Sequence, residues 1–199
     1  MSKINYSGEL VYITSESEER FMISSVNSGD TSDLKEAVIE GVPKFLECYN
    51  DYAIVCYQDK NYESNNIVNL IIIDLKNEYI AFQTKTDEIK CAIPAKNELF
   101  YVHKDNIKEE MFLKKLVEYE NSVKLEKFFK RQFYDLAHKV AKNNKYDESL
   151  LAEISKYHGD HEYGKKDYQN AITHYIRTIG YTEPSYVIRQ FIDVSQISY

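Results

Sequence analysis

The chain has 199 residues, of which 43% are hydrophobic and 29% charged, and its formal net charge is −7 with histidine neutral. That is enough apolar material for one large domain or two small ones, and an acidic surface argues against nucleic acid and against charge-driven binding to anionic lipid. The longest apolar run, IVNLIII from Ile67 to Ile73, is strand-sized and too short for a membrane-spanning helix, and MSKINYSGEL has no apolar signal core. A cytoplasmic protein with only indirect membrane contact is expected.

Residues 1 to about 105 read as short strands: ELVYIT, RFMISSV, KFLECYN, YAIVCYQ, VNLIIIDL, YIAFQT, IKCAIP and LFYVH. They are rich in Val, Ile, Tyr and Phe and are separated by polar, turn-prone segments. NSGDTSD (Asn27–Asp33) and QDKNYESNN (Gln58–Asn66) have the composition of surface loops, and DLKNE that of a hairpin turn with Asn77 in the left-handed conformation. Four strands between Lys44 and Thr84 occupy about the ~40–45 residues of a β-propeller blade, with parts of a similar pattern on either side. Two to three blades are too few to close a propeller. Either a small open sheet or a piece of something longer is expected. In EEMFLKKLVE (109–118) propensity favours helix, but its position after two blade-like strands predicts a strand, with Phe112, Lys114, Leu116 and Glu118 on one face.

From about Ser122 the apolar period changes. Leu125, Phe128, Phe129, Phe133, Leu136, Ala137 and Val140 fall at helical spacing, and Asn143-Asn144 ends that run. Asp147 is placed to cap a helix whose apolar face is Leu150, Leu151, Ile154 and Tyr157; Asp167 is placed to cap the next. There Tyr168, Ala171, Ile172, Tyr175, Ile176 and Ile179 form an unbroken stripe that Gly180 closes. Thr182 and Pro184 open a last helix with Val187, Ile188, Phe191 and Ile192 on its apolar face. Helix pairs of this kind bury their faces by stacking on neighbours, and the absence of a polar capping helix before Tyr199 leads to the expectation of a continuing solenoid.

Few residues point to chemistry. Cys48, Cys56 and Cys91 form no CxxC pair and lie in apolar stretches, which reads as buried thiols. His158, His161 and His174, with Asp160 and Glu162 nearby, are too few for a convincing metal site, and a solvated repeat surface accounts for them. His103 and His138 stand alone. Glu16, Glu18, Glu19, Glu109 and Glu110 have no nucleophile beside them, and GDTS (Gly29–Ser32) lacks a phosphate-loop lysine. Lys114-Lys115 and Lys165-Lys166 read as solvated faces, and the eighteen tyrosines as packing residues. No catalytic, cofactor-binding or metal-ligating residue is expected, and no residue can be assigned to partner binding.

The stretch GDHEYGKKDYQNAITHYIRTI has the core of a tetratricopeptide pattern. Gly159 permits close helix approach, Tyr163 closes one helix, and Asp167-Tyr168 start the next, with Ala171 and Tyr175 as the small and aromatic contacts. It departs at Glu162, where an aromatic is usual, at Thr178, where Ala is usual, and at Pro184, one residue late. It looks closer to clathrin-heavy-chain repeats than to a regular array. The string YIRTIGYTEPSYVIRQFIDVSQI (Tyr175–Ile197) strongly resembles the vacuolar protein sorting-associated protein 11 family. KLEKFFKRQFYDLAHKVAKNN resembles the helix pair that begins that family's solenoid, and NLIIIDLKNEYIAFQT a strand pair late in its propeller.

The resemblance implies a mixed β-then-α fold, with residues 1–120 as the last blades of a partial β-propeller and 121–199 as the start of an α-solenoid. It implies a non-catalytic scaffold subunit of the HOPS and CORVET tethering complexes, acting in vesicle tethering and intracellular protein transport. Its partners would be other class C vacuolar sorting subunits, with Rab GTPases and SNAREs engaged indirectly, on late endosome, lysosome or vacuole membranes. The family's RING zinc domain has no counterpart here, so its ubiquitin-ligase association is not carried over. Architecture alone leaves a different propeller-plus-solenoid coat or adaptor as the competing reading.

Overall fold

The computed structural model describes residues 1–17, 20–27, 30–59, 67–95, 98–105 and 107–192. The chain divides into two compact units, Met1–Glu118 and Tyr119–Tyr199.

The first unit is three antiparallel sheets in chain order. The first has the order β1 (Ser2–Ile4), β2 (Leu10–Ser17), β3 (Arg20–Asn27), β4 (Asp30–Glu40). The second runs β5 (Val42–Tyr49), β6 (Tyr52–Gln58), β7 (Val68–Asp74), β8 (Tyr79–Thr86). The third has three strands, β9 (Ile89–Ala95), β10 (Glu98–Lys104) and β11 (Met111–Leu116), with β10 in the middle. These are propeller-type blades, each a meander whose strands pair with their neighbours in sequence.

The second sheet shows why IVNLIII is not an alternating pattern. On β6, Ala53, Val55 and Tyr57 enter a core shared with Val11, Phe21 and Ile23 of the first sheet. The intervening Ile54 and Cys56 enter another core, shared with Ile89, Ala92, Leu99 and Tyr101 of the third. Every residue of β7 is buried for the same reason. A strand covered on both faces reads as a continuous apolar run. The third sheet buries one face only: Cys91, Ile93, Met111 and Leu113 are exposed.

Gly41 is the single residue between β4 and β5, where the chain steps from one sheet to the next. Its φ is +138°, and a Cβ there would lie 2.5 Å from the Gln58 carbonyl oxygen and 2.7 Å from the Tyr57 ring. Only glycine satisfies both demands.

Several expectations are corrected. β1 and β4 were not read as strands. Asn27 ends β3 and pairs with Asp30, and Asp30–Asp33 begin β4, so most of the segment expected as surface loop is strand; residues 28 and 29 lie outside the described ones. Gln58 closes β6, while residues 60–66 lie outside the described ones. In the β7–β8 turn Glu78 takes the left-handed conformation (φ 58°), not Asn77. Asn77 instead folds back: its backbone N–H donates to Asp74 Oδ1 at 2.8 Å and its side-chain amide to Asp74 Oδ2 at 2.7 Å. Cys91 is exposed, whereas Cys48 and Cys56 are pushed up to about 11 and about 12 by burial and stay thiols. The strand expected over 109–118 is β11, with Phe112 and Leu116 partly buried; Lys114 and Glu118 are exposed. His103 is buried against Phe112, and among the described residues neither of its ring nitrogens has a hydrogen-bond partner.

The second unit holds five helices among the described residues: α1 (Asn121–Lys130), α2 (Tyr134–Asn143), α3 (Glu148–Gly164), α4 (Tyr168–Ile176) and α5 (Pro184–Ile192). The first three connections share one geometry. Gln132, Lys145 and Lys166 each take positive φ, at 60°, 58° and 66°. The residue after each donates its N–H five residues back: Phe133 to Phe128, Tyr146 to Ala141, Asp167 to Glu162. This is the Schellman ending, built three times without glycine. The chain thus repeats its connector as well as its helices.

Candidate functional site

The helical repeat around α3, α4 and α5 is where the sequence concentrated its recognisable residues. Asp147 and Asp167 cap α3 and α4 by accepting the N–H groups of Leu150 and Asn170 at 3.4 and 3.2 Å. Each cap satisfies an otherwise orphaned donor and fixes where its helix starts. Gly159 lies beneath the Tyr175 ring: a Cβ there would be 2.7 Å from the nearest ring carbon. Ala171 and Tyr175 are buried on α4. Thr178 is buried where the repeat pattern usually has alanine, and its hydroxyl is satisfied by donating to the Tyr175 carbonyl at 2.7 Å.

Asp160 ties the three helices together. Its Oδ1 accepts from the Tyr175 hydroxyl of α4 at 2.7 Å and from the Tyr186 hydroxyl of α5 at 2.8 Å. Its Oδ2 pairs with Lys156 at 3.4 Å. The Lys156 ammonium also lies 4.1 Å from the centre of the Tyr186 ring, a cation–π contact. Burial pushes both tyrosine hydroxyls above their ordinary range, and the Asp160 carboxylate adds to it, so they remain donors. Tyr163 donates to the Gln190 carbonyl of α5, and the rings of Tyr163, Tyr168 and Tyr175 stand edge-on to Phe191. Sequence reasoning singled out Gly159, Ala171 and Tyr175 but missed the Asp160 network. Its partners lie 15 and 26 residues away, and no local pattern signals them.

The histidines are placed differently from expectation. The His158 side chain is 14% exposed, so it does not belong to a solvated surface. Its ring stacks on His174 with centroids 3.6 Å apart. His161 lies near Tyr134 instead, at 5.4 Å between ring centres. Among the described residues no three His, Cys, Asp or Glu side chains are grouped to hold a metal. Glu109 and Glu110 are exposed beside β11, while the side chains of Glu16, Glu18 and Glu19 and of residues 29–32 fall outside the described ones. The tyrosines divide: Tyr57, Tyr101 and Tyr175 are buried, but Tyr6, Tyr119 and Tyr181 are exposed.

The apolar stripe of α4 also splits. Ala171 and Tyr175 face inward, but Ile172 and Ile176 are exposed, and beyond the helix Ile179 is 74% exposed. α4 ends at Ile176, three residues before the stripe does, and Gly180 follows in the turn. Ile188 and Ile192 of α5 are exposed as well. Rows of large apolar side chains left exposed have the character of a protein-contact surface.

The PEP5/VPS11 clathrin repeat family model matches residues 163–199. A vacuolar protein sorting-associated protein 11 homolog of Dictyostelium discoideum is 41% identical over 133 residues, covering 67% of this chain and 13% of the relative. The Arabidopsis thaliana homolog is 31% identical over 158 residues, 79% of this chain and 16% of its own length. The chain belongs to the vacuolar protein sorting-associated protein 11 family. The human homolog is 33% identical over 141 residues, 71% of this chain and 14% of that protein. The chain therefore spans about one seventh of the length of the family members it matches. The blades-then-repeat order seen here agrees with the family resemblance of the Tyr175–Ile197 string.

Proposed function

We propose that the chain is scaffold material of a vacuolar protein-sorting subunit that works by binding other proteins and not by catalysis. The observation that carries this is the relatives' shared name, joined to 31–41% identity over two thirds or more of the chain. The structure supports it from another side. Its blades and capped helices are held by packing, and its exposed apolar rows on α4 and α5 are suited to protein contact. No helix among the described residues is long and apolar enough to cross a membrane, which fits attachment through partners.

On this reading the assembly is a HOPS- or CORVET-type tether on late endosome, lysosome or vacuole membranes. The helical repeats act as an arm and the blades as a rigid body. Together they hold Rab-binding and SNARE-engaging subunits at a distance that bridges two membranes. The test is affinity capture of the tagged full chain, expressed in cells and probed for the other class C vacuolar sorting subunits. Their recovery is the expected result. Recovery of coat or adaptor subunits in their place would favour a different propeller-plus-solenoid role. Recovery of neither would remove the proposal's ground.

A further inference from the structure

Two imidazoles lie face to face where α3 packs on α4. The His158 and His174 rings are 3.6 Å apart with planes inclined at 25°. Every helix packed there presents polar or charged groups to them. From α2 come Tyr134, 5.3 Å from the His158 ring, and Asp135, whose Oδ1 is 3.6 Å from His158 Nδ1. From α3 come Glu162, 3.8 Å from His158 Nε2, with His161 and Lys165 close behind. Arg177, at the end of α4, stands beside His174. Glu162 is shared with Lys165 at 3.0 Å, and the Asp135 side chain is 86% exposed, so water screens it. These carboxylates suit one imidazolium and leave a second one poorly compensated.

We propose that the stacked His158–His174 pair is a proton-sensitive joint of the helical unit, closed while the rings are neutral and loosened when both are protonated. Protonating both sets two cations one ring-thickness apart in a half-buried site, and parting α3 from α4 relieves the repulsion. Burial, the largest cause, already holds both rings below the ordinary histidine range; for His174 the neighbouring His158 adds to it, while Asp135 and Glu162 oppose. The folded chain then binds fewer protons than the unfolded one. Its stability is complete above the unfolded histidine midpoint of about 6.5 and falls as pH drops below that value. His138 on α2 is lowered by burial too and contributes with the same sign. Because Asp160 is the next residue but one to His158 and binds both α4 and α5, loosening at the pair reaches the Tyr186 contact as well. The proposal rests on this chain's own geometry and not on its family.

The experiment is histidine-ring NMR titration of the full chain, with thermal unfolding followed at about pH 7.5 and about pH 5.5, which bracket the histidine range. His158 and His174 should titrate below 6.5, and His158→Phe should raise the His174 midpoint by removing the neighbouring charge. The unfolding temperature should fall between the two pH values. The fall should shrink by at least half in the His158→Phe/His174→Phe pair, which keeps two stacked rings, and not in His138→Gln. Independent titration of both rings at about 6.5 or above, or a full pH effect in the double variant, would overturn the proposal. The titration of the unaltered chain decides the matter if the double variant does not fold.

Discussion

In the second sheet, alternate residues of β6 and β7 feed two apolar cores, and the side chains there are large: Ile54, Val55, Leu70, Ile71. In the helical unit large buried side chains such as Phe128, Leu151, Ile154 and Tyr175 are interleaved with small ones. Ala137 and Ala141 of α2, Ala152, Ser155 and Gly159 of α3, and Ala171 of α4 are the small buried positions. Packed sheets stand about 10 Å apart and need bulk to fill the gap, whereas helix axes lie about 8–10 Å apart, the closer approaches being where the residues between them are small. Both units are therefore vulnerable to losing volume, and the second, at its small positions, to gaining it as well. The second also depends on directional contacts that join its helices, those of Asp160 above all.

Four substitutions test that contrast. Ala171→Glu should do most harm, since it forces an unpaired charge into a fully buried helix contact at a cost of about 4 kcal/mol. Loss of the helical far-UV CD signal at a lower urea concentration is the expected reading; an unchanged midpoint would mean that this face is not packed. Leu70→Ala should cost about 3 kcal/mol by leaving a cavity in the core between the second and third sheets. Near-neutrality there, measured by chemical denaturation, would break the volume-loss half of the comparison.

Gly159→Ala adds one methyl group against the Tyr175 ring. Overpacking of about 2 kcal/mol, set against about 1 kcal/mol of improved helix propensity, leaves a net loss of about 1 kcal/mol. A rise in melting temperature would show the ring yielding freely. Lys166→Gly should move the other way, raising stability by about 0.5–1 kcal/mol, because glycine holds the left-handed turn between α3 and α4 without a Cβ penalty. Calorimetry resolves a change of that size, and a loss would point to a side-chain role for Lys166.

Much of this was legible beforehand because local rules and tertiary packing agreed. The shift of apolar period near Ser122, the Asp147 and Asp167 caps and the close approach at Gly159 are local signals that the fold uses unchanged. β4 was missed because LKEAVIE mixes charges with residues of low strand propensity, which an outer blade position tolerates. Asn77 was a sound candidate for the left-handed turn residue by type, but its side chain was needed by Asp74, so Glu78 took the conformation. The stripe on α4 told which residues share a face and not whether anything covers it; Ile176 and Ile179 remained in solvent. The Asp160 hub and the His158–His174 stack join residues of different helices, so neither has a signature in any short window of sequence.

Gly41 has a mechanical meaning. A load applied along the chain passes from β4 to β5 through that one residue, beside which Gln58 leaves no room for a side chain, and from β8 to β9 through Asp87 and Glu88 alone. Neither step stores slack to be drawn out. Force entering one sheet is handed to the next at once, so the connections cannot act as springs. Strain appears first in the sheets' own hydrogen bonds, and a single-molecule pulling trace should show abrupt rupture with no soft extension before it.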